Sequence, residues 1–134
     1  MSQSYTILHL EDNPVFVNMT KILFENQKNI NYESVFTPEQ AFNYLIKNMP
    51  DIILSDLQLD DLTPESGIRF IKQVKNKYPN IPIVVLSSKR SKDIRENLSE
   101  YILDFFQKGC DTNFFVSNIM NHLKKFNSIP ACIK

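Results

Sequence analysis

Four short runs of this sequence each lead into residues able to do chemistry. Ile7-Leu8-His9-Leu10 opens onto Glu11 and Asp12, Ile52-Ile53-Leu54-Ser55 onto Asp56, Ile83-Val84-Val85-Leu86 onto Ser87, and Leu103-Asp104-Phe105-Phe106-Gln107 onto Lys108. Singly, each has an ordinary reading: an acid pair after a strand is a solvated turn, a serine is a turn residue, and a lysine before a glycine ends an element. Brought to one place they acquire a shared logic. Three converging carboxylates repel and raise one another's pKa unless a cation sits among them. A few carboxylates with room for water suit Mg²⁺, above all where a phosphoryl group completes the octahedron. Asp56 is then a competent nucleophile toward phosphorus. Lys108 as a point charge and the Ser87 hydroxyl as a donor would take the remaining phosphoryl oxygens.

The elements that must deliver these residues are readable from the pattern. The run Ile52 to Ser55 is too short for a helix and has no polar alternation, so it predicts a strand buried on both faces of a parallel sheet. Tyr5 to Leu10, Asn31 to Phe36, Ile83 to Leu86 and Leu103 to Gln107 predict four more strands. Asn13 caps a helix from Pro14 to Gln27, with Val15, Met19, Ile22 and Leu23 on one face. Thr37 caps a second, with Pro38 at its first position and Gln40 placed for a capping box. Gly67 to Tyr78 predicts a third, Ile94, Leu98, Tyr101 and Ile102 a fourth capped near Ser91, and Asn113 to Phe126 a last one. Five alternations with long connections specify an α/β fold: a single three-layer doubly wound domain, its five-stranded parallel sheet in order 2-1-3-4-5 with five helices, the flavodoxin-like arrangement. Ligands collect beyond the carboxyl ends of such strands, where all the residues named above lie.

The totals bound the alternatives. A chain of 134 residues fits one domain, expected over residues 1–126 with a short tail from Asn127 to Lys134. Fifteen basic against fifteen acidic residues leave no net charge, which argues against direct nucleic-acid binding. Two cysteines, Cys110 and Cys132, make no disulfide framework and are read as reduced. No signal peptide, membrane-length apolar segment or terminal prenylation pattern is present, so the expected compartment is the cytoplasm.

Ile7-Leu8-His9-Leu10-Glu11-Asp12-Asn13, Asp51-Ile52-Ile53-Leu54-Ser55-Asp56, Val84-Val85-Leu86-Ser87-Ser88 and Asp104-Phe105-Phe106-Gln107-Lys108, in this order and over about residues 5 to 126, resemble the receiver domain of two-component response regulators, the family of the chemotaxis response regulator. The resemblance implies Glu11 and Asp12 as the acid pair for Mg²⁺, joined by Asp56 and the backbone carbonyl of Gln58. It implies Asp56 as acceptor of a phosphoryl group from a histidine, Lys108 as its partner, Ser87 as the switch hydroxyl and Phe105 as the switch aromatic. Implied partners are a sensor histidine kinase or histidine phosphotransfer protein, a downstream protein target met through the fourth helix, fifth strand and last helix, and a possible homodimer. No membrane partner and no ordinary enzymatic turnover are implied beyond slow self-dephosphorylation.

Two features depart from the family pattern. Gly109 stands where a proline with a cis bond is common, and a trans bond with glycine absorbing unusual dihedrals is expected. The stretch from Asp56 to Gly67 is about three residues long for the family, with Asp60, Asp61 and Glu65 in it; a tolerated surface insertion is the expectation, an effect on metal affinity or partner choice the sharper possibility. His9 is expected as a packed core residue, and His122 has no partner at metal spacing. Of Phe114 and Phe115, one is expected to be exposed for docking. Two other function classes stay open: a pseudo-receiver that binds protein without taking phosphate, and an aspartate-nucleophile phosphatase of the haloacid-dehalogenase type. The second is disfavoured because the acid pair precedes the nucleophile and Gln58 replaces a second aspartate. The chain could be stand-alone or a receiver cut from a longer protein.

Overall fold

The computed structural model describes residues 4–57, 64–88 and 98–128. The element order is β1 (Tyr5–Leu10), α1 (Pro14–Glu25), β2 (Ile30–Val35), α2 (Pro38–Lys47), β3 (Ile52–Asp56), α3 (Pro64–Lys77), β4 (Ile83–Ser87), β5 (Asp104–Gln107) and α4 (Thr112–Ser128). All strand pairs are parallel, and the order is β2-β1-β3-β4-β5. Four helices lie among the described residues, against the five expected. The fourth expected helix falls outside them except for its closing turn, where the backbone N–H groups of Tyr101 and Ile102 both donate to the Leu98 carbonyl.

Side-chain alternation along the strands feeds two separate cores. Leu8, Leu10, Ile53 and Val85 point to one face, against Ala41 and Leu45 of α2 and Phe70, Ile71 and Val74 of α3. Ile7, Ile52, Leu54, Val84 and Leu86 point to the other, against Phe24 of α1 and Phe115, Ile119 and Leu123 of α4. Every residue of β3 and of β4 is buried, which is why these two strands read as unbroken apolar runs. On the edge, β2 keeps only partial burial.

Local signals fix the helix starts. The Asn13 side chain accepts from the N–H groups of Val15 and Phe16, and Pro14 occupies the first turn, where its missing donor costs nothing. Thr37 Oγ1 accepts from the Gln40 N–H at 3.1 Å, while the Gln40 side chain reaches back to the Phe36 N–H at 2.8 Å, a capping box displaced by one residue. Two boundaries differ from the sequence expectation. Helix α3 begins at Pro64, not Gly67, because proline is pre-organised for a first helical turn; part of the long stretch after Asp56 is therefore helix. Helix α4 runs to Ser128, two residues into the expected tail.

Gly67 lets α3 press on the chain just past Asp56. A Cβ at Gly67 would lie 2.5 Å from both the Cα and the carbonyl oxygen of Leu57. Backbone cannot move aside as a flexible side chain can, so Gly67→Ala is expected to cost about 1–3 kcal/mol, read as a lower urea midpoint at unchanged m-value. An unshifted midpoint would mean the helix start relaxes freely.

Candidate phosphoryl-acceptor site at the carboxyl edge of the sheet

Three strand exits and one turn meet at a single point. Glu11 follows β1, Asp56 ends β3, Ser87 ends β4 and Lys108 follows β5. The register sets Asp56 beside Leu86 and Ser87 beside Gln107, and the Lys108 N–H donates to the Ser87 carbonyl at 2.8 Å. Backbone pairing thus places the lysine across the strand ends from the acids.

Glu11, Asp12 and Asp56 each offer a carboxylate oxygen within 4.8 Å of the others. Glu11 is fully buried and Asp56 is 3% exposed, whereas Asp12 is half-buried at the mouth. The Lys108 ammonium bridges two of the acids, 2.6 Å from Glu11 Oε1 and 3.0 Å from Asp56 Oδ2. It also lies 4.5 Å from the centroid of the Phe16 ring on α1, within cation–π range. Glu11 Oε2 accepts the Asn13 N–H at 3.1 Å. Glu11 Oε1 faces the ammonium at hydrogen-bond distance though off the ideal angle, and has no other donor among the described residues.

These contacts set the electrostatics. Burial pushes the Glu11 carboxyl up to about 7; the Asp56 charge adds to the rise, and Lys108 and the Asn13 N–H oppose it. Burial works against the charge on Lys108, but Glu11 and Asp56 outweigh it and the ammonium pKa is raised. The donor set is three hard carboxylate oxygens within 4.8 Å of one another, two of them buried, and this fits a small divalent cation. Gln58, expected to add its carbonyl, lies outside the described residues, as do Asp60 and Asp61.

The switch candidates are positioned as follows. Ser87 is buried at the end of β4. Phe105 is half-buried on β5 beside Val85 and packs on the α2/α3 core. Phe106, its neighbour, faces the other core and stacks edge-on with Phe114 and Phe115. Phe114 is 57% exposed and Phe115 5%, so one of the two does face solvent.

Among the described residues no peptide bond is cis, and Gly109 adopts φ 92°. The turn after Lys108 therefore uses glycine's left-handed freedom in place of proline. A Cβ there would meet nothing within 4 Å, so the obstacle to substitution is conformational, not steric. Gly109→Ala is expected to cost about 1–2 kcal/mol, measured by thermal unfolding. A cost near zero would show that the turn re-forms at negative φ.

Sequence reasoning missed two contributors. Phe16 carries no signal as a neighbour of Lys108, because the contact spans the whole chain. His9 is a fully buried core residue, as expected, but its Nδ1 sits 2.6 Å from the Tyr32 hydroxyl, and burial drops its pKa to about 3, so it is neutral there. His122 pairs with Asp104 at 2.9 Å, tying α4 to the start of β5, away from any metal-ligand grouping among the described residues. Cys110 is a free thiol, raised by burial. Among the described residues no helix is long and apolar enough to cross a membrane.

The likeness to known proteins follows this geometry. The luminescence regulatory protein LuxO of Vibrio campbellii is 30% identical over 97 residues, covering 72% of this chain and 21% of that protein. The sensor histidine kinase TmoS of Ectopseudomonas mendocina is 26% identical over 118 residues, 86% of this chain and 12% of that one. The chain spans about a fifth of the length of the LuxO relatives it matches. Among solved structures, the signal receiver domain of a putative LuxO repressor protein from Vibrio parahaemolyticus superposes with a TM-score of 0.83 at 20% identity, covering 92% of this chain and 93% of that one. A CheY-like response regulator receiver domain protein from Methanospirillum hungatei gives 0.81 at 16%, covering 94% and 98%. The family described as response regulator receiver domain matches residues 7–120, and the chain belongs to that family.

Proposed function

We propose that this receiver domain is a phospho-acceptor switch of a two-component system or phosphorelay, with Asp56 as the residue that takes the phosphoryl group. The observation that carries the reading is the Lys108 ammonium, 3.0 Å from Asp56 Oδ2 and anchored on the other side by buried Glu11. An Asp56 oxygen attacks the phosphorus of a phosphohistidine; the P–N bond breaks, its electron pair returns to the imidazole nitrogen, and an acyl phosphate is left on Asp56. Lys108 meets the negative charge that arrives with the phosphoryl oxygens, and the Ser87 hydroxyl, at the end of the neighbouring strand, would donate to another of them. Glu11, Asp12 and Asp56 would hold Mg²⁺, which supplies charge neutralisation at those oxygens. Water later cleaves the acyl phosphate, which makes the domain a timer and not a turnover enzyme.

The donor is a sensor histidine kinase or a histidine phosphotransfer protein. Val15, Met19 and Ile22 of α1, at i, i+4 and i+7, are 66%, 55% and 59% exposed and form an apolar stripe that starts directly after the acid pair. A helix presenting a histidine beside this stripe would reach Asp56 without burying a charge. Movement of Ser87 toward the phosphoryl group and repacking of Phe105 would carry the change to the surface of β5 and α4, where a downstream protein binds.

Incubation with acetyl phosphate and Mg²⁺ tests the reading by intact mass. One phosphoryl group per chain is expected with Mg²⁺ and none with EDTA. No gain under either condition would leave a pseudo-receiver, and release of many phosphates per chain from simple esters would make it a phosphatase.

A further inference from the structure

Helix α3 carries charge in a way that the site at Asp56 does not use. From Pro64 to Lys77 the helix holds Arg69, Lys72, Lys75 and Lys77 against one acid, Glu65 in its first turn, in a chain with no net charge overall. A merely solvated helix face mixes signs at i, i+3 and i, i+4 along its length, whereas here the only acid, Glu65, precedes Arg69 by one turn, and beyond it Arg69, Lys72 and Lys75 follow one another at spacings of three and repel. Lys75 is spent locally: its ammonium donates to the carbonyls of Ile81 and Pro79, closing the end of the helix. Arg69, Gln73 and Asn76 make no side-chain hydrogen bond or ion pair among the described residues, and Lys72 lies over the Tyr101 ring at 5.5 Å.

These side chains edge an open groove of about 700 Å³, floored by half-buried Ile68 and Tyr101. Among the described residues that line it, every polar side chain is a donor or can act as one, and none is an acid. From Arg69 to Asn76 the helix rises about 10 Å, two turns. We propose that this groove docks an acidic amphipathic helix of a protein partner. Carboxylates spaced at i, i+3 and i+7 would meet Arg69, Lys72 and Asn76, and aliphatic side chains from the adjoining face would lie on Ile68 and Tyr101. Charge complementarity selects this occupant, and the apolar floor separates it from nucleic acid. A phosphate backbone needs cations spread over a longer track and a basic domain, and this chain is neutral with its surplus gathered beside an apolar floor.

The test uses the unphosphorylated chain and a fluorescent synthetic helix bearing Glu at i, i+3, i+4 and i+7 with Leu along the adjoining face. Anisotropy is expected to show saturable binding that weakens with salt. It is also expected to fall by about tenfold or more in the double variant Arg69→Glu, Lys72→Glu, and by a similar factor when the peptide's Glu residues are replaced by Gln. Lys124→Glu on α4 is expected to leave binding unchanged. Chemical-shift mapping on the parent chain keeps the idea testable if the double variant fails to fold: shifts should centre on α3 and Tyr101. No binding by the parent, equal binding of the Gln peptide, undiminished binding by the charge-reversed variant, or shifts centred elsewhere would each overturn the proposal. Tighter binding of a single-stranded DNA oligonucleotide than of the acidic helix at physiological salt would overturn it in favour of nucleic acid.

Discussion

Asp56→Asn is expected to reduce phosphoryl incorporation from acetyl phosphate to background, a loss of at least about a hundredfold, while the fold stays within about 1 kcal/mol of the parent. An amide oxygen is no nucleophile toward phosphorus, and neither Glu11 nor Asp12 can stand in. Glu11 is fully buried with Oε1 against the ammonium and Oε2 on the Asn13 N–H, and Asp12 lies on the turn between β1 and α1. The stability forecast follows from the same geometry. Asparagine keeps the shape of a side chain that is 3% exposed, and Lys108 keeps Glu11 as its counter-charge. The Asp56 charge is also one of the causes that raise the Glu11 carboxyl, so removing it lets Glu11 ionise more readily against Lys108. Intact mass reads the first half and urea unfolding the second. Undiminished mass gain in Asp56→Asn would place the acceptor at another residue.

Much of this arrangement was legible before any coordinates, for physical reasons that differ by element. Strands β3 and β4 are buried on both faces, so their sequences are continuous apolar runs, and their ends mark the edge where Asp56 and Ser87 sit. Asn13-Pro14 and Thr37-Pro38 declare helix starts because a cap and a proline each answer a backbone requirement. Legibility fails where a role depends on distant contact. Pro64 announces α3 as clearly as Pro14 announces α1, yet it follows a stretch of acids that reads as loop, so the pattern alone puts the start at Gly67. Gly67 lies within that helix, not at its start, and is the spot where the helix touches the Leu57 backbone. The cations of α3 can be counted in the sequence, but only Tyr101, brought alongside by the fold, turns them into the wall of a groove. Phe16 beside Lys108 is invisible for the same reason.

Lys108 is where these strands of argument meet, and Lys108→Ala is expected to have the largest effect on the fold itself. In metal-free buffer the variant leaves Glu11 and Asp56 converging at the strand ends without the cation that now lies 2.6 Å and 3.0 Å from them. Removing one partner of a buried ion pair costs about 3–5 kcal/mol. The lysine keeps 17% of its side chain in solvent, so the lower end, about 3 kcal/mol, is the expected loss. A second cation could restore the balance. Because Glu11, Asp12 and Asp56 present oxygens within 4.8 Å of one another, Mg²⁺ at about a hundredfold excess over its Kd would return about 2.7 kcal/mol, close to the whole deficit. The variant should therefore unfold early in EDTA and near the parent midpoint in Mg²⁺, with a larger metal-induced shift than the parent shows. Phosphoryl transfer follows a different course: Mg²⁺ restores the fold but not the ammonium that meets the phosphoryl oxygens, so the rate from acetyl phosphate should stay down by about 10²–10³. Equal unfolding of parent and variant in EDTA would show that Glu11 and Asp56 are not held together by Lys108. Recovery of full transfer rate with Mg²⁺ would confine the lysine to a structural role. Stability that returns without rate is the outcome that assigns Lys108 both tasks, holding Glu11 and Asp56 together before the phosphoryl group arrives and neutralising its charge afterwards.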